Sequence, residues 1–423
     1  MRIPKSDIII LATSFVLFGC SQPPAATTTT AVAAQLTAAE IHEKLIVLDS
    51  HLDTPMLLEL PSFDITHRHD VNYDFSQVDL PRMIEGNLDG GFWVIYTPQG
   101  PLTLEGYQKS RNQAMMRAFA IHKMTNQFNQ HFALATTSEQ AISIVNEGKR
   151  VVLVSMENAY PLGTDLSLLP LFYDMGLRML GPVHFKNNQF GDSSTDPDGQ
   201  QWGGLSSLGK ELVIEANRLG ILLDGSHAHD DLVKEMILLS KTPIILSHTG
   251  TKSIYDHPRN IDDELLRALV TSGGVIQMNA YSSYLAKLDE TPERSKVFAA
   301  LMKETGSISE LDQDGMAMFL EKRRDIDKQF PASKASFEDY MEHFLYVLNI
   351  AGSEHVGVGA DWDGGGGVHG MMDVSMLPKI TERLLSEGYS EENLANIWGG
   401  NMLRVLEEAR VYAELQGGDQ AIK

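Results

Sequence analysis

The chain has 423 residues, 43% of them hydrophobic, and a formal net charge of −22. That length and apolar content suit a large core, and the acidic balance argues against a nucleic-acid binder, which needs a basic footprint. A single cysteine, Cys20, rules out a disulfide framework and leaves any metal to His, Asp and Glu.

Met1-Arg2-Ile3-Pro4-Lys5 is positively charged, and residues 8–18 form an apolar run too short for a stable membrane span, which together read as a secretory signal. It ends in Leu17-Phe18-Gly19-Cys20, which is similar to the lipobox of bacterial lipoproteins. Residues 1–20 are therefore expected to be a lipoprotein signal with Cys20 acylated. Residues 21–35, rich in Thr, Ala and Pro, are a tether. No later stretch is long and apolar enough to cross a bilayer, so attachment is expected through the lipid alone, in the bacterial cell envelope. Ser21 after the cysteine favours the outer membrane in a Gram-negative host.

The body is expected over residues 36–415, with a short tail at 416–423. Leu36-Thr37-Ala38-Ala39-Glu40-Ile41 carries a capping box between Thr37 and Glu40 and a staple from Leu36 to Ile41. Short apolar runs then recur at 45–48, 91–96, 150–155, 177–183, 220–223, 243–246, 274–278 and 355–358. Helical patterns lie between most of them: Thr137 and Gln140 form a second capping box, and Leu208, Leu212, Ala216 and Leu219 repeat every three to four residues. Buried strands alternating with helices predict an α/β fold, a (β/α)8 TIM barrel. The alternative is an open doubly wound sheet, whose nucleotide-binding version lacks its Gly-x-Gly-x-x-Gly. Residues 283–336 break the rhythm and read as a helical insertion between strands 7 and 8, its charge runs being solvated faces or a lid.

The chemistry is written at the strand ends. Strand 1 leads to His51 and Asp53, two apart and so on one side of an extended chain. Strand 3 ends at Glu157, strand 4 at His184, strand 5 at His227, strand 6 at His248 and strand 8 at Asp361. In a (β/α)8 barrel these ends gather at the catalytic face. Imidazoles and carboxylates suit zinc over manganese, cobalt or iron. One catalytic ion takes about three protein ligands and a water, yet His51, Asp53, Glu157, His227 and His248 offer five. Two ions sharing Glu157 are the simplest arrangement.

These residues resemble the membrane dipeptidase (renal dipeptidase) family of the amidohydrolase superfamily. The likeness runs from about residue 45 to 408 through Asp49-Ser50-His51-Leu52-Asp53-Thr54-Pro55, Gly90-Gly91-Phe92-Trp93, Glu157-Asn158, Gly176-Leu177-Arg178, Asn217-Arg218-Leu219-Gly220, Ser247-His248, Gly359-Ala360-Asp361-Trp362-Asp363-Gly364 and Gly400-Asn401-Met402-Leu403-Arg404. It implies two zinc ions, one on His51 and Asp53, the other on His227 and His248, bridged by Glu157. It further implies that His184 contacts the substrate carbonyl and that Arg259, in Asp256-His257-Pro258-Arg259-Asn260, takes the substrate carboxylate. The insertion is longer than the family leads one to expect, and Cys20 replaces the disulfides and glycolipid tail of the mammalian members.

The expected reaction is hydrolysis of a dipeptide, with a D-residue at the C-terminal position an open option, by a hydroxide bridging the two metals. His184 would stabilise the oxyanion, Asp361 would move a proton to the leaving amine, and Arg259 would grip the carboxylate in a bidentate pair. The expected partners are small dipeptides, no nucleic acid, the membrane through lipid only, and a second copy in a homodimer. Two other functions compete: an amidohydrolase acting on N-acyl amino acids or β-lactams, and a non-catalytic lipid-anchored binding protein. Among the neighbours, His229 competes with His227, His67 and His69 read as surface loop, His42 as structural, and Gly364-Gly365-Gly366-Gly367 as a turn beside Asp361.

Overall fold

A computed structural model of the chain describes residues 36–60, 62–289, 291–306 and 311–420. The leader 1–20 with Cys20, the tether 21–35 and the last three residues of the tail lie outside them. At the start of the body the Thr37 side chain accepts from Glu40 N, and Thr37 N donates back to Glu40 Oε2 at 2.8 Å, so the capping box closes. At the second box Thr137 caps Gln140 N, but the Gln140 side chain accepts from Thr136 N instead, one residue earlier than expected.

The fold is α/β, with parallel strands curled under a cover of helices. Nine strands lie among the described residues: β1 (Leu48–Leu52), β2 (Gly90–Tyr96), β3 (Phe132–Leu134), β4 (Arg150–Glu157), β5 (Leu177–Leu180), β6 (Leu222–Leu223), β7 (Ile245–Thr249), β8 (Val275–Met278) and β9 (Val356–Val358). Eight match the expected runs; β3 is additional. It pairs with the first half of β4, Phe132 opposite Arg150, outside the main path. Three residues, Phe-Ala-Leu, are too short a run to separate from a loop by pattern. The first strand also begins later than expected, at Leu48, so Asp49 and His51 lie inside it.

One sheet runs β1-β2-β4-β5-β6 and a second β7-β8-β9, every pairing parallel. The two sheets meet at two seams. At one, Asp224 forms a single bridge with Ile245, and Gly225 N donates to Ile245 O at 2.8 Å. At the other, Leu52 bridges Trp362, and Asp53 N donates to Trp362 O at 2.9 Å.

The strand beginnings are sealed by the last helix, Asn401–Gln420, which continues past residue 415 into the expected tail. Its Met402, Leu403, Val405 and Leu406 pack in one core with Leu48, Phe92, Val151, Leu222, Ile245 and Val275. Fully burying such a side chain contributes about 1.5–3 kcal/mol. Gly220 ends the helix Ser207–Leu219 in the left-handed conformation (φ 78), where a Cβ would stand 3.2 Å from Ala409 O of that last helix.

Between β8 and β9 the helices Pro292–Thr305 and Gln313–Gln329 form a pair with their own small core of Leu301, Phe319 and Ile326. Their charge run is not wholly solvated. Arg324 donates to Tyr73 O at 2.9 Å, and the Arg323 guanidinium lies 3.7 Å over the Phe75 ring, so both basic residues dock the pair onto the body.

Candidate metal centre

His51, Asp53, Glu157, His227 and His248 converge where the strands end, and all five are buried. Glu157 Oε1 is the hub. His227 Nε2 lies 2.8 Å from it, His248 Nε2 3.4 Å, His51 Nε2 3.7 Å and His184 Nε2 3.9 Å. His51 Nε2 is also 3.5 Å from Asp53 Oδ2, and the two imidazoles of His227 and His248 approach to 2.8 Å between their Nε2 atoms. Three overlapping groups of donors are close enough to share an ion: His51, Glu157 and His248; Glu157, His184 and His227; His51, Asp53 and Asp361.

Local backbone makes this convergence, and simple alternation does not. In β1, Asp49 pairs with Gly91 but Leu52 with Trp93, so one extra residue bulges at Ser50-His51. In β7, Leu246 pairs with Ile276 but Thr249 with Met278, a second bulge at Ser247-His248. A bulge redirects a side chain and raises the local twist, which is why such features gather beside sites. Asp53 then turns inward from the first residues after β1, not from the strand itself. His227 and Asp361 hold left-handed backbone, φ 68 and 65, a conformation that costs energy for a non-glycine residue and that their loops impose. Gly364 completes the turn after Asp361. A Cβ there would stand 2.1 Å from Asp53 Oδ2 and 2.2 Å from Asp361 Oδ1.

The electrostatics match a cation-binding set. Burial drives the Glu157 carboxyl up to about 8 and Asp361 to about 7, although His51 opposes both shifts. Burial works against a charged His51, but Glu157, Asp53 and Asp361 together outweigh it and lift the imidazole to about 10. Burial and then Arg259 hold His184 down at about 3, burial with Arg259 and His184 depresses His227, and burial with His51 depresses His248. The lowered imidazoles of His184, His227 and His248 are neutral, as ligands must be, and the carboxylates that hold a proton on His51 are the charge that a divalent ion would take up in that proton's place. Two candidate ligand atoms also have no hydrogen-bond partner in the protein, His51 Nε2 and Asp53 Oδ1. Buried polar atoms without partners are costly, and ions on this face would satisfy them, so the residues fit a metal centre.

Arg259 is buried beside the cluster. It donates to His248 O at 3.0 Å, its guanidinium is 5.3 Å from the Tyr284 ring, and its Nε has no partner. His229 stays outside, capping the helix Asp230–Leu239 by accepting from Asp231 N, with Gln200 Nε2 2.9 Å from its Nδ1. His67 and His69 both lie in a loop, as expected; His67 is exposed, whereas most of the His69 side chain is covered. Its Nδ1 lies 2.6 Å from Asp74 Oδ2, its Nε2 donates to Asp64 O, and its ring stacks on Phe63 at 4.3 Å. His42 is buried between Thr381 Oγ1 and Gly86 O.

Several residues at the site escaped the strand-end reading. Tyr96 closes β2 opposite Glu157, with its ring 5.0 Å from that of His184. It lies at the same strand end as the ligands, and a rule that counted phenols would have found it. The Phe185 ring lies 3.8 Å from that of His184, tilted by 42°, and Phe185 directly follows His184 in sequence. Asp49 and Ser247 stand in the resembling motifs but, like Asp224, have no role assigned there; Asp49 and Asp224 belong to none of the donor groups that could share an ion.

Comparison with known proteins gives a consistent picture. The family model described as Membrane dipeptidase (Peptidase family M19) matches residues 35–417. The curated dipeptidase verJ of Clonostachys rogersoniana is 27% identical over 374 residues, covering 85% of this chain and 83% of that protein. Among solved structures, the probable dipeptidase PvdM from Pseudomonas aeruginosa superposes with a TM-score of 0.76 at 28% identity, covering 89% of this chain and 98% of that one. A metallo peptidase from Rhodobacter sphaeroides, liganded with a phosphinate mimic of the dipeptide L-Ala-D-Ala, superposes with a TM-score of 0.68 at 26% identity, covering 86% and 99%.

Proposed function

The chain belongs to the membrane dipeptidase family and is a metallo-dipeptidase, and from that premise we propose that it cleaves dipeptides with two zinc ions. His51 and Asp53 would hold one, His227 and His248 the other, and Glu157 would bridge them. The observation that carries this reading is the single oxygen, Glu157 Oε1, with four histidine Nε2 atoms within 3.9 Å. In the same reading the eight main strands close across both seams as a (β/α)8 barrel, and the helical pair before β9 is an insertion into it.

When bound, the two ions would supply a water acidic enough to act as nucleophile near neutral pH and a Lewis acid for the carbonyl. The protein does the rest. Arg259, anchored on His248 O with its Nε free, receives the C-terminal carboxylate of the substrate in a charge-assisted pair. That grip fixes the distance from the carboxylate to the scissile bond and selects dipeptides over longer chains. His184, kept neutral by burial and by Arg259, donates to the carbonyl oxygen as negative charge grows on it. Asp361, whose carboxyl burial keeps basic, takes the proton of the nucleophilic water and delivers it to the leaving amine nitrogen. Acceptance of a D-residue at the C-terminal position is supported by the L-Ala-D-Ala mimic bound to the Rhodobacter relative.

We place the protein in a bacterial envelope, tethered through Cys20 over residues 21–35. Among the described residues no helix is long and apolar enough to cross a membrane. A panel of L,L- and L,D-dipeptides, assayed before and after chelation and zinc return, tests the function. Hydrolysis that disappears with the metal and returns with zinc is the expected result. Metal uptake without cleavage of any dipeptide would overturn the substrate class and move the assay to N-acyl amino acids and β-lactams.

A further inference from the structure

We propose that two buried aspartates, Asp49 and Asp224, are positioning residues that clamp the two seams between the sheets and so hold His51 against the Asp361 loop at one and His227 against His248 at the other. The inference rests on the two-metal reading and concerns residues that hold no ion themselves.

At each seam only one main-chain bridge joins the sheets, so the ladder alone does not fix the strand ends. A carboxylate supplies what the ladder lacks. Asp49 Oδ1 accepts from His51 N at 2.8 Å, the amide inside the β1 bulge, and Asp49 Oδ2 accepts from Ala360 N at 3.1 Å, the residue before Asp361. One side chain therefore ties His51 to the loop that carries Asp361. At the other seam Asp224 Oδ1 accepts from Ser226 N and from Ser247 N, both at 2.9 Å. Ser226 precedes His227 and Ser247 precedes His248, so this carboxylate ties the two histidines of the second pair.

The second clamp reaches further. Asp224 Oδ2 accepts from Ser247 Oγ at 2.5 Å, and Ser247 Oγ lies 2.8 Å from His248 Nδ1. With the Ser247 hydroxyl donating to Asp224, its oxygen is left to accept from His248 Nδ1–H. That arrangement fixes the tautomer in which the Nε2 lone pair faces Glu157, the form a metal needs. Both aspartates are almost wholly buried, with 0% and 4% of their surface exposed. Hydrogen bonds to a buried carboxylate are short and directional. At position 49 an asparagine would turn its amide toward an N–H; at position 224 the amide would donate to Ser247 Oγ, turning that hydroxyl toward His248 Nδ1 and reversing the tautomer.

The test is zinc binding by the full chain, measured by competition with a chromophoric chelator and by metal analysis, with no reference to turnover. Wild type is expected to take two equivalents. Asp224→Asn and Ser247→Ala should each weaken one equivalent by about 10–100-fold, the range for residues that orient a ligand, and Asp49→Asn should weaken the other. In a His248→Ala background, the remaining equivalent should respond to Asp49→Asn and not to Asp224→Asn. Ser247→Ala leaves the amide bonds of the clamp in place, so it keeps the test open if Asp224→Asn misfolds. Folded variants with wild-type affinities, or variants that weaken both equivalents alike, would overturn the clamps while leaving the metal centre standing. A wild type that takes up no zinc would overturn the metal reading and this inference with it.

Discussion

The two ends of the same parallel strands are built on opposite terms. Where the strands begin, nearly every polar group is answered. Asp89 accepts from Val47 N at 3.0 Å and from Arg150 at 2.9 Å, Asn401 donates to Ser353 O and Val356 O, and His355 Nδ1 lies 2.7 Å from Gly274 O. Apolar side chains of the last helix fill the space between. Where the strands end, bulges interrupt the ladders, His227, Asp361, Asn158 and Asp363 hold left-handed backbone, and candidate ligand atoms of His51 and Asp53 lack hydrogen-bond partners. One end stabilises, and the other spends part of that stability on a site.

If this division is right, damage at the two ends should have different symptoms. The largest effect on activity is expected from Glu157→Gln, which should abolish dipeptide hydrolysis and zinc uptake together while far-UV circular dichroism stays native. Asp361→Asn should lower kcat by about 10²–10⁴-fold, the range for a lost proton-transfer group, with zinc content retained; loss of zinc in step would assign Asp361 to metal binding. At the sealed end, Leu406→Ala should cost about 2–5 kcal/mol of stability in urea denaturation. The protein still folded should keep its kcat/KM, and a selective loss of activity would break the contrast.

A pH test sharpens it further. Burial lowers the pKa of His42, so the folded protein keeps this imidazole neutral while the unfolded chain titrates near the ordinary value. The unfolded state then binds more protons, and stability present above about pH 6.5 is lost as pH falls. Replacing His42 with Asn should flatten the decline in stability between pH 7 and 5.5, and parallel slopes would exclude His42 as its source. The smallest effect is expected from His229→Ala, which removes a helix cap worth about 1 kcal/mol and leaves zinc content and activity as they were.

Much of this contrast was legible in the sequence because strand ends recur in order. Glu157, His248 and Asp361 each follow a Val- or Ile-rich run, and that regularity brought out the cluster. The rest depended on geometry that residue types do not encode. The bulge at Ser247-His248 adds one residue without changing composition, and β3 is too short to show a period. Arg323 and Arg324 read as solvated charges because nothing local reveals that Phe75 and Tyr73, about 250 positions earlier, lie beneath them. His69 lies in a loop as read, with its ring held by Asp64 and Asp74, each five residues away.

The helical pair before β9 has a consequence for the energy landscape. Leu301, Phe319 and Ile326 bury one another and not the strands, and Arg294, near the start of the pair, donates to Phe330 O just past its end. Such a closed unit can melt by itself, and its amides should exchange with solvent long before those of β4 or β7. Because its two ends lie close together, a short turn in its place should leave the remaining chain able to fold, which makes this the point where the protein can be shortened or another domain spliced in.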